Sequence, residues 1–129
     1  MLTVKIFSFS YLYTGLPEDT SGNGGGFVFD CRFIYNPGRE FKFQKLTGKD
    51  LDVINFLDEH KEMQTFLKNT KNIIEPAIEN FLSRNFTDLM ISFGCTGGQH
   101  RSVYSAEKIK SHINQKYPNV LTEITHINL

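Results

Sequence analysis

Apolar and polar positions divide the chain into short segments of period two and longer ones of period near 3.6. Leu2 to Tyr13 alternates Val4, Ile6 and Ser8 against Lys5, Phe7 and Phe9, which predicts a strand. Gly15-Leu16-Pro17 and Ser21-Gly22-Asn23-Gly24-Gly25-Gly26 follow. The glycine tract is too permissive to hold regular structure by itself, so a mobile surface loop is expected there. Phe27 to Ile34 is apolar on both sides, the pattern of a strand buried on two faces, and it stops at Asn36-Pro37-Gly38, which is turn chemistry. Asp30 and Arg32 stand two apart in that segment, so on a strand they share a face. They are either a mutually paired core ion pair or the wall of a polar pocket.

From Thr47, a candidate cap, the period becomes helical through Leu51, Ile54 and Leu57. A longer stripe runs through Met63, Phe66, Leu67, Thr70, Ile73, Ile74, Ala77, Ile78, Phe81 and Leu82, and reads as core packing. Pro76 lies inside it and predicts a kink or break, because proline removes a donor and crowds the preceding turn. Asp88 to Gly94 reads as a buried strand, Ser102 to Tyr117 as a helix stopped by Pro118-Asn119, and Val120 to Ile127 as a closing strand. Strand, helix, strand at this end implies a right-handed parallel crossover. No repeat or second domain interrupts the pattern. The expectation is one compact α/β layer domain over residues 1–129, a mixed, mostly parallel sheet with flanking helices.

Composition narrows the function classes. Lysines plus arginines and aspartates plus glutamates number 14 each, so the net charge is zero. A neutral domain gains little from phosphate-backbone attraction, which counts against nucleic acid as the default partner. No apolar run approaches the roughly 20 residues of a membrane span. The first residues alternate instead of forming a signal-peptide core. Two distant cysteines, Cys31 and Cys95, are too few for a secreted disulfide scaffold, so a reduced, cytoplasmic protein is expected.

Chemistry concentrates where the Asp88–Gly94 strand gives way to the next helix. Gly94, Gly97 and Gly98 let successive amides converge on one point, and the helix start adds unpaired N–H groups with a partial positive charge. Thr96 and Ser102 offer hydroxyls, Arg101 a planar fork suited to phosphate, and His100 a further donor. In open α/β sheets, ligands bind at such turns. The segment is therefore read as a cradle for a phosphate-bearing small molecule. The spacing Cys95-x5-Arg101-Ser102 also fits the loop of cysteine-dependent phosphatases, with Asp30 or Asp88 required as general acid. That remains the alternative, although Gly94 stands where the tyrosine phosphatases carry histidine. Gly48-Lys49 lacks the surroundings of a mononucleotide-binding loop. Cys95 and His100 lack structural zinc spacing, and neither metal nor cofactor is expected. His60 and His112 fall on predicted helices and are read as solvated surface residues.

The run Gly94-Cys95-Thr96-Gly97-Gly98-Gln99-His100-Arg101-Ser102-Val103-Tyr104, with Ala106-Glu107 after it, resembles the C-terminal domain of the RNase adapter protein RapZ family. Phe29-Asp30-Cys31-Arg32-Phe33 followed by Asn36-Pro37 resembles that family's second motif. Ser8-Phe9, Gly15-Leu16-Pro17, Leu46-Thr47-Gly48 and His126 fall in the family's order, so the likeness covers nearly the whole chain. The resemblance implies a domain that forms homo-oligomers and binds glucosamine-6-phosphate between the two motifs. It also implies small regulatory RNAs as partners, presented to a ribonuclease. By matching position, Thr96, Gly97, Gly98, His100 and Arg101 would hold the phosphate, with Asp30, Arg32 and Asn36 on the opposite wall. Gly38 stands where the family has a larger ring. The family's N-terminal kinase-like domain and its basic C-terminal tail are both missing, so a stand-alone domain is expected and RNA binding is placed in doubt. A basic patch from Lys108, Lys110 and Lys116, or from Lys42, Lys45 and Lys49, would restore it. The reading is a non-catalytic sensor or regulatory domain for a sugar phosphate.

Overall fold

The computed structural model describes residues 1–129 in full. Four strands, β1 (Thr3–Ser10), β2 (Phe27–Asp30), β3 (Asp88–Cys95) and β4 (Leu121–His126), form one sheet in the order β2-β3-β1-β4. Every pairing is parallel, so the sheet is uniform where a mixed one was expected. Three helices complete the fold: α1 (Leu51–Asp58), α2 (Lys61–Ser83) and α3 (Arg101–Lys116).

The strand order explains where the helices lie. The connections β2→β3 and β3→β4 step the same way across the sheet. Right-handed crossovers therefore put α1, α2 and α3 on one face. Val4, Ile6 and Ser8 of β1 and Leu89, Ile91, Phe93 and Cys95 of β3 are buried beneath them. Phe66 of α2 meets Phe29 and Phe93 edge-on. The return from β1 to β2 runs the opposite way, and residues 11–26 cross the other face, where Leu16, Pro17 and Asp19 border one cavity with Val28, Met90 and Ser92. The glycine tract has no regular secondary structure and winds around Asp19, whose carboxylate accepts from the amides of Ser21 and Gly25, both at 2.9 Å.

Several boundaries move. β2 ends at Asp30, not Ile34, so Arg32 lies in a turn and shares no strand face with Asp30. Helix α1 begins at Leu51 with Asp50 as its cap, not Thr47. The Asp50 carboxylate accepts from the Thr47 amide at 2.7 Å, because a carboxylate at this position gathers donors that precede the helix. Helix α2 continues unbroken through Pro76. Pro76 is exposed, so the carbonyl it leaves without a donor faces water, which can serve it.

Two histidines read as solvated are in contacts instead. His112 Nε2 lies 2.6 Å from Glu75 Oε2 and ties α3 to α2. The ring of His60 stacks on those of Tyr35 and Phe56. At the far edge, His126 Nδ1 meets Ser8 Oγ and His126 Nε2 meets Glu107 Oε2, each at 2.6 Å. The sequence of groups, serine, histidine and carboxylate, is that of a serine hydrolase relay, but the two ring nitrogens are exchanged and Ser8 is wholly buried in mid-strand. It fastens β4 to β1 and α3.

Candidate functional site

Strand β3 ends at Cys95, and after five intervening residues α3 begins with Arg101. The loop between them is held from outside. The Thr96 carbonyl accepts from Ser10 Oγ at 2.5 Å, the Gln99 carbonyl accepts from the Gly48 amide at 2.8 Å, and Gln99 Nε2 donates to the Asn128 carbonyl at 2.7 Å. The carbonyls of Thr96, Gln99 and His100 are used; the loop's amides are not. No amide from Thr96 to Val103 donates to any acceptor in the protein. Three belong to the first turn of α3, where intrahelical partners never exist, and the others belong to the loop.

Two glycines have distinct steric reasons. Gly98 has φ +71°, the left-handed region that other residues enter at a cost, and a Cβ there would come within 2.8 Å of Asn128 Oδ1. Gly48 packs so closely that a Cβ would fall on the His100 carbonyl oxygen and the Tyr104 amide nitrogen. This close seating is what positions the start of α3.

Arg101 is 4% exposed. Its Nη1 donates to the carbonyls of Ile34 at 2.7 Å, Arg32 at 2.9 Å and Cys31 at 3.4 Å. It thereby closes the turn where the β2–β3 ladder ends. Its Nε is buried without an acceptor, and no carboxylate forms an ion pair with the group. A positive charge out of water without a counter-charge is costly. His100 Nε2 lies 2.9 Å from the Phe43 carbonyl, the geometry of a ring N–H donor, and Nδ1 has no protein partner.

These groups surround a cavity of about 200 Å³ lined by Asn36, Gly38, Gln44, Cys95, Gly97, Gln99, His100 and Arg101. Of the residues expected at a site, Gly97, His100, Arg101 and Asn36 meet here. Asn36 Oδ1 accepts from the Gly38 amide at 2.9 Å and so shapes one wall. Thr96, Gly98 and Ser102 do not line the cavity. Thr96 is exposed, Gly98 is backed by Asn128, and Ser102 is buried with its Oγ 3.1 Å from Cys95 Sγ. Asp30 and Arg32 form a pair at 2.7 Å on the surface, each side chain nearly half exposed, and the Arg32 guanidinium lies 3.8 Å from the centre of the Tyr11 ring. The pair is not a core ion pair, and neither side chain lines the 200 Å³ cavity. Only the Arg32 carbonyl reaches the site, through Arg101. Gln44 and Gln99 went unselected: Gln44 follows a 3-10 turn (Phe41–Phe43) that no periodic pattern marks.

Neither aspartate considered as a phosphatase's general acid is placed for that role. Hydrogen bonds from the Arg32 side chain hold Asp30 below the usual carboxylate range, so it carries no proton near neutrality. Asp88 is at the opposite end of β3, 3.5 Å from Lys5. Cys95 is buried against the Ser102 hydroxyl.

The model of a family described as the RapZ C-terminal domain matches residues 2–129. Proteins named RNase adapter protein RapZ from Yersinia pseudotuberculosis, Yersinia pestis and Yersinia enterocolitica are each 37% identical over 119 residues, 92% of this chain. The chain spans 40% of the length of each of these relatives. A match over essentially every residue, running through both the β3–α3 loop and the turn that Arg101 caps, means that the chain belongs to the RapZ C-terminal domain family.

Proposed function

We propose that this domain is a non-catalytic regulatory sensor whose ligand is a phosphorylated small molecule, an amino-sugar phosphate such as glucosamine-6-phosphate. The phosphate would occupy the cavity between the β3–α3 loop and the Asn36–Gln44 segment. One observation carries the reading: a buried Arg101 without a counter-charge borders the same cavity as Gly97, Gln99 and His100, whose amides have no protein acceptor. A phosphate dianion offsets both costs at once, through charge-assisted bonds to the guanidinium and through the positive end of α3. Gly97, His100, Arg101 and Asn36 would make the direct contacts. Thr96, Gly98 and Ser102 would shape the loop, and Asp30 with Arg32 would stand at the rim, outside the phosphate contacts. The carbonyl and amide groups of Gln44 and Gln99 suit the sugar hydroxyls and amine.

The adapter role in the relatives' name extends the proposal to a partner that reads the ligand-bound state, RNA included. Of the six lysines considered for a basic patch, Lys108, Lys116 and Lys42 are spent on Asp58, Glu75 and Glu40, so little salt-dependent RNA affinity is expected from the isolated domain. Homo-oligomerisation belongs to the same reading. Parallel sheets are covered on both faces, yet here Val28 and Leu121 stay 45% and 54% exposed on the face without helices. Two free, buried thiols suit a reducing, cytoplasmic compartment. No helix is long and apolar enough to cross a membrane.

A thermal-shift series tests the ligand. Glucosamine-6-phosphate should raise the melting temperature with concentration, and glucosamine without the phosphate should not. Equal shifts for both, or none for any sugar phosphate at millimolar concentration, would refute the assignment.

A further inference from the structure

Cys31 and Cys95 are distant in sequence, and the sheet sets them side by side. β2 and β3 pair in register up to Asp30 opposite Gly94, and that register, carried one residue past the end of β2, brings Cys31 opposite Cys95. The Cys31 amide donates to the Gly94 carbonyl at 2.8 Å and continues that ladder. Paired residues on adjacent strands stand about 4.8 Å apart. That lies within the Cα separation of roughly 4.4–6.8 Å at which a disulfide closes. The thiols also share a face. Cys31 Sγ lies 3.8 Å from Ser105 Oγ and Cys95 Sγ 3.1 Å from Ser102 Oγ, and those serines are one turn apart on α3. Both cysteines are free; Cys95 borders the 200 Å³ cavity, and Cys31 lies wholly buried behind it.

We propose that Cys31 and Cys95 are a dithiol modification site that hydroperoxides convert to an intramolecular disulfide at the floor of the cavity. Cys95, which borders the cavity where Cys31 does not, reacts first. Its sulfur attacks one peroxide oxygen, the O–O bond breaks, an S–O bond forms, and the departing hydroxide leaves as water with the thiol proton. Cys31 sulfur then attacks Cys95 sulfur; the S–S bond forms, the S–O bond breaks, and a second water carries away the hydroxyl and the Cys31 proton. Two thiols lose two electrons and two protons, and hydrogen peroxide is reduced to two waters. Burial, and then the neighbouring thiol, push Cys31 above the ordinary thiol range. The Cys31 carbonyl is one of the three held by Arg101, so the new bond would pin the turn that Arg101 caps. The site needs only the strand register and stands whether or not the cavity takes a phosphate.

The test treats the full chain with hydrogen peroxide, then denatures it, alkylates it with iodoacetamide and maps the peptides. A cross-linked Cys31–Cys95 peptide is expected, with the chain mass lowered by two hydrogens and restored by dithiothreitol. Cys31→Ala, checked for a native melting transition, should stop at Cys95 sulfenic acid, which dimedone captures. Full alkylation of both cysteines after treatment, disulfides only between chains, or no dimedone adduct in Cys31→Ala would overturn the proposal.

Discussion

Arg101 Nη1 stands 2.7 Å from the carbonyl oxygen of Ile34, so the first residue of α3 holds the turn that follows β2. One side chain thus joins the two sequence motifs from which the site is built. Arg101→Ala leaves three carbonyls without this donor and should cost about 1–3 kcal/mol in denaturant unfolding. Arg101→Lys keeps the charge but loses the planar fork. It should fold and yet bind glucosamine-6-phosphate more weakly by at least about 1 kcal/mol, a calorimetric loss of fivefold or more.

Gly97 and Gly98 separate binding from folding. A Cβ at Gly97 meets nothing within 4 Å, whereas one at Gly98 meets Asn128 and requires a left-handed backbone. Gly98→Ala should therefore lower stability by roughly 1–2 kcal/mol. Gly97→Ala should leave unfolding unchanged within about 0.5 kcal/mol while lowering ligand affinity, because its methyl enters the space beside the cavity. Parallel melts and calorimetric titrations of the two variants check both statements.

Much of this was legible because local patterns coincide with tertiary roles. The strand from Asp88, the glycines after it and the helix from Arg101 obey simple periodicities, and the parallel crossover follows from them. Family likeness supplied the second motif. The face assigned to Asp30 and Arg32 was misread because apolar Phe33 and Ile34 prolong a strand pattern beyond the point where Arg101 takes over the carbonyls of Cys31 and Arg32. Where α1 starts was misplaced because Asp50 and Thr47 are both good cap residues, and only the folded backbone shows that Asp50 holds the cap position, its carboxylate turned back to the Thr47 amide. Gln44 and Asn128 carry no local signal at all; distant chain brings them to the loop.

Acid should weaken the α2–α3 contact. Glu75 accepts from His112 Nε2 at 2.6 Å and Lys116 Nζ at 2.9 Å, and these bonds, His112 first, hold its carboxyl below the ordinary range. A carboxyl depressed in the folded state contributes stability that is complete above its unfolded value of about 4.3. That contribution is lost as pH falls through the lower folded value. Glu75→Gln should accordingly lower the melting temperature at pH 7 and flatten its decline on the acid side. Equal acid slopes for the variant and the parent would exclude this pair as a contributor.

Tyr104 Oη donates to Asp58 Oδ1 at 2.7 Å and accepts from Gln64 Nε2 at 2.9 Å. Each partner keeps another bond, Asp58 to Lys108 and Gln64 to the Leu57 carbonyl. Tyr104→Phe should therefore cost only the net worth of a hydrogen bond, about 1 kcal/mol, and not the larger penalty of an orphaned group. A loss above about 3 kcal/mol in urea unfolding would show that the ring's position, not its hydroxyl, had been disturbed.

The amide cradle is tested most directly by following backbone N–H resonances of labelled protein during titration with glucosamine-6-phosphate. The largest saturable shifts should fall on residues 96–103, together with the Arg101 side-chain Nε–H. Saturable shifts confined to other residues, or none in that segment at millimolar ligand, would contradict the account.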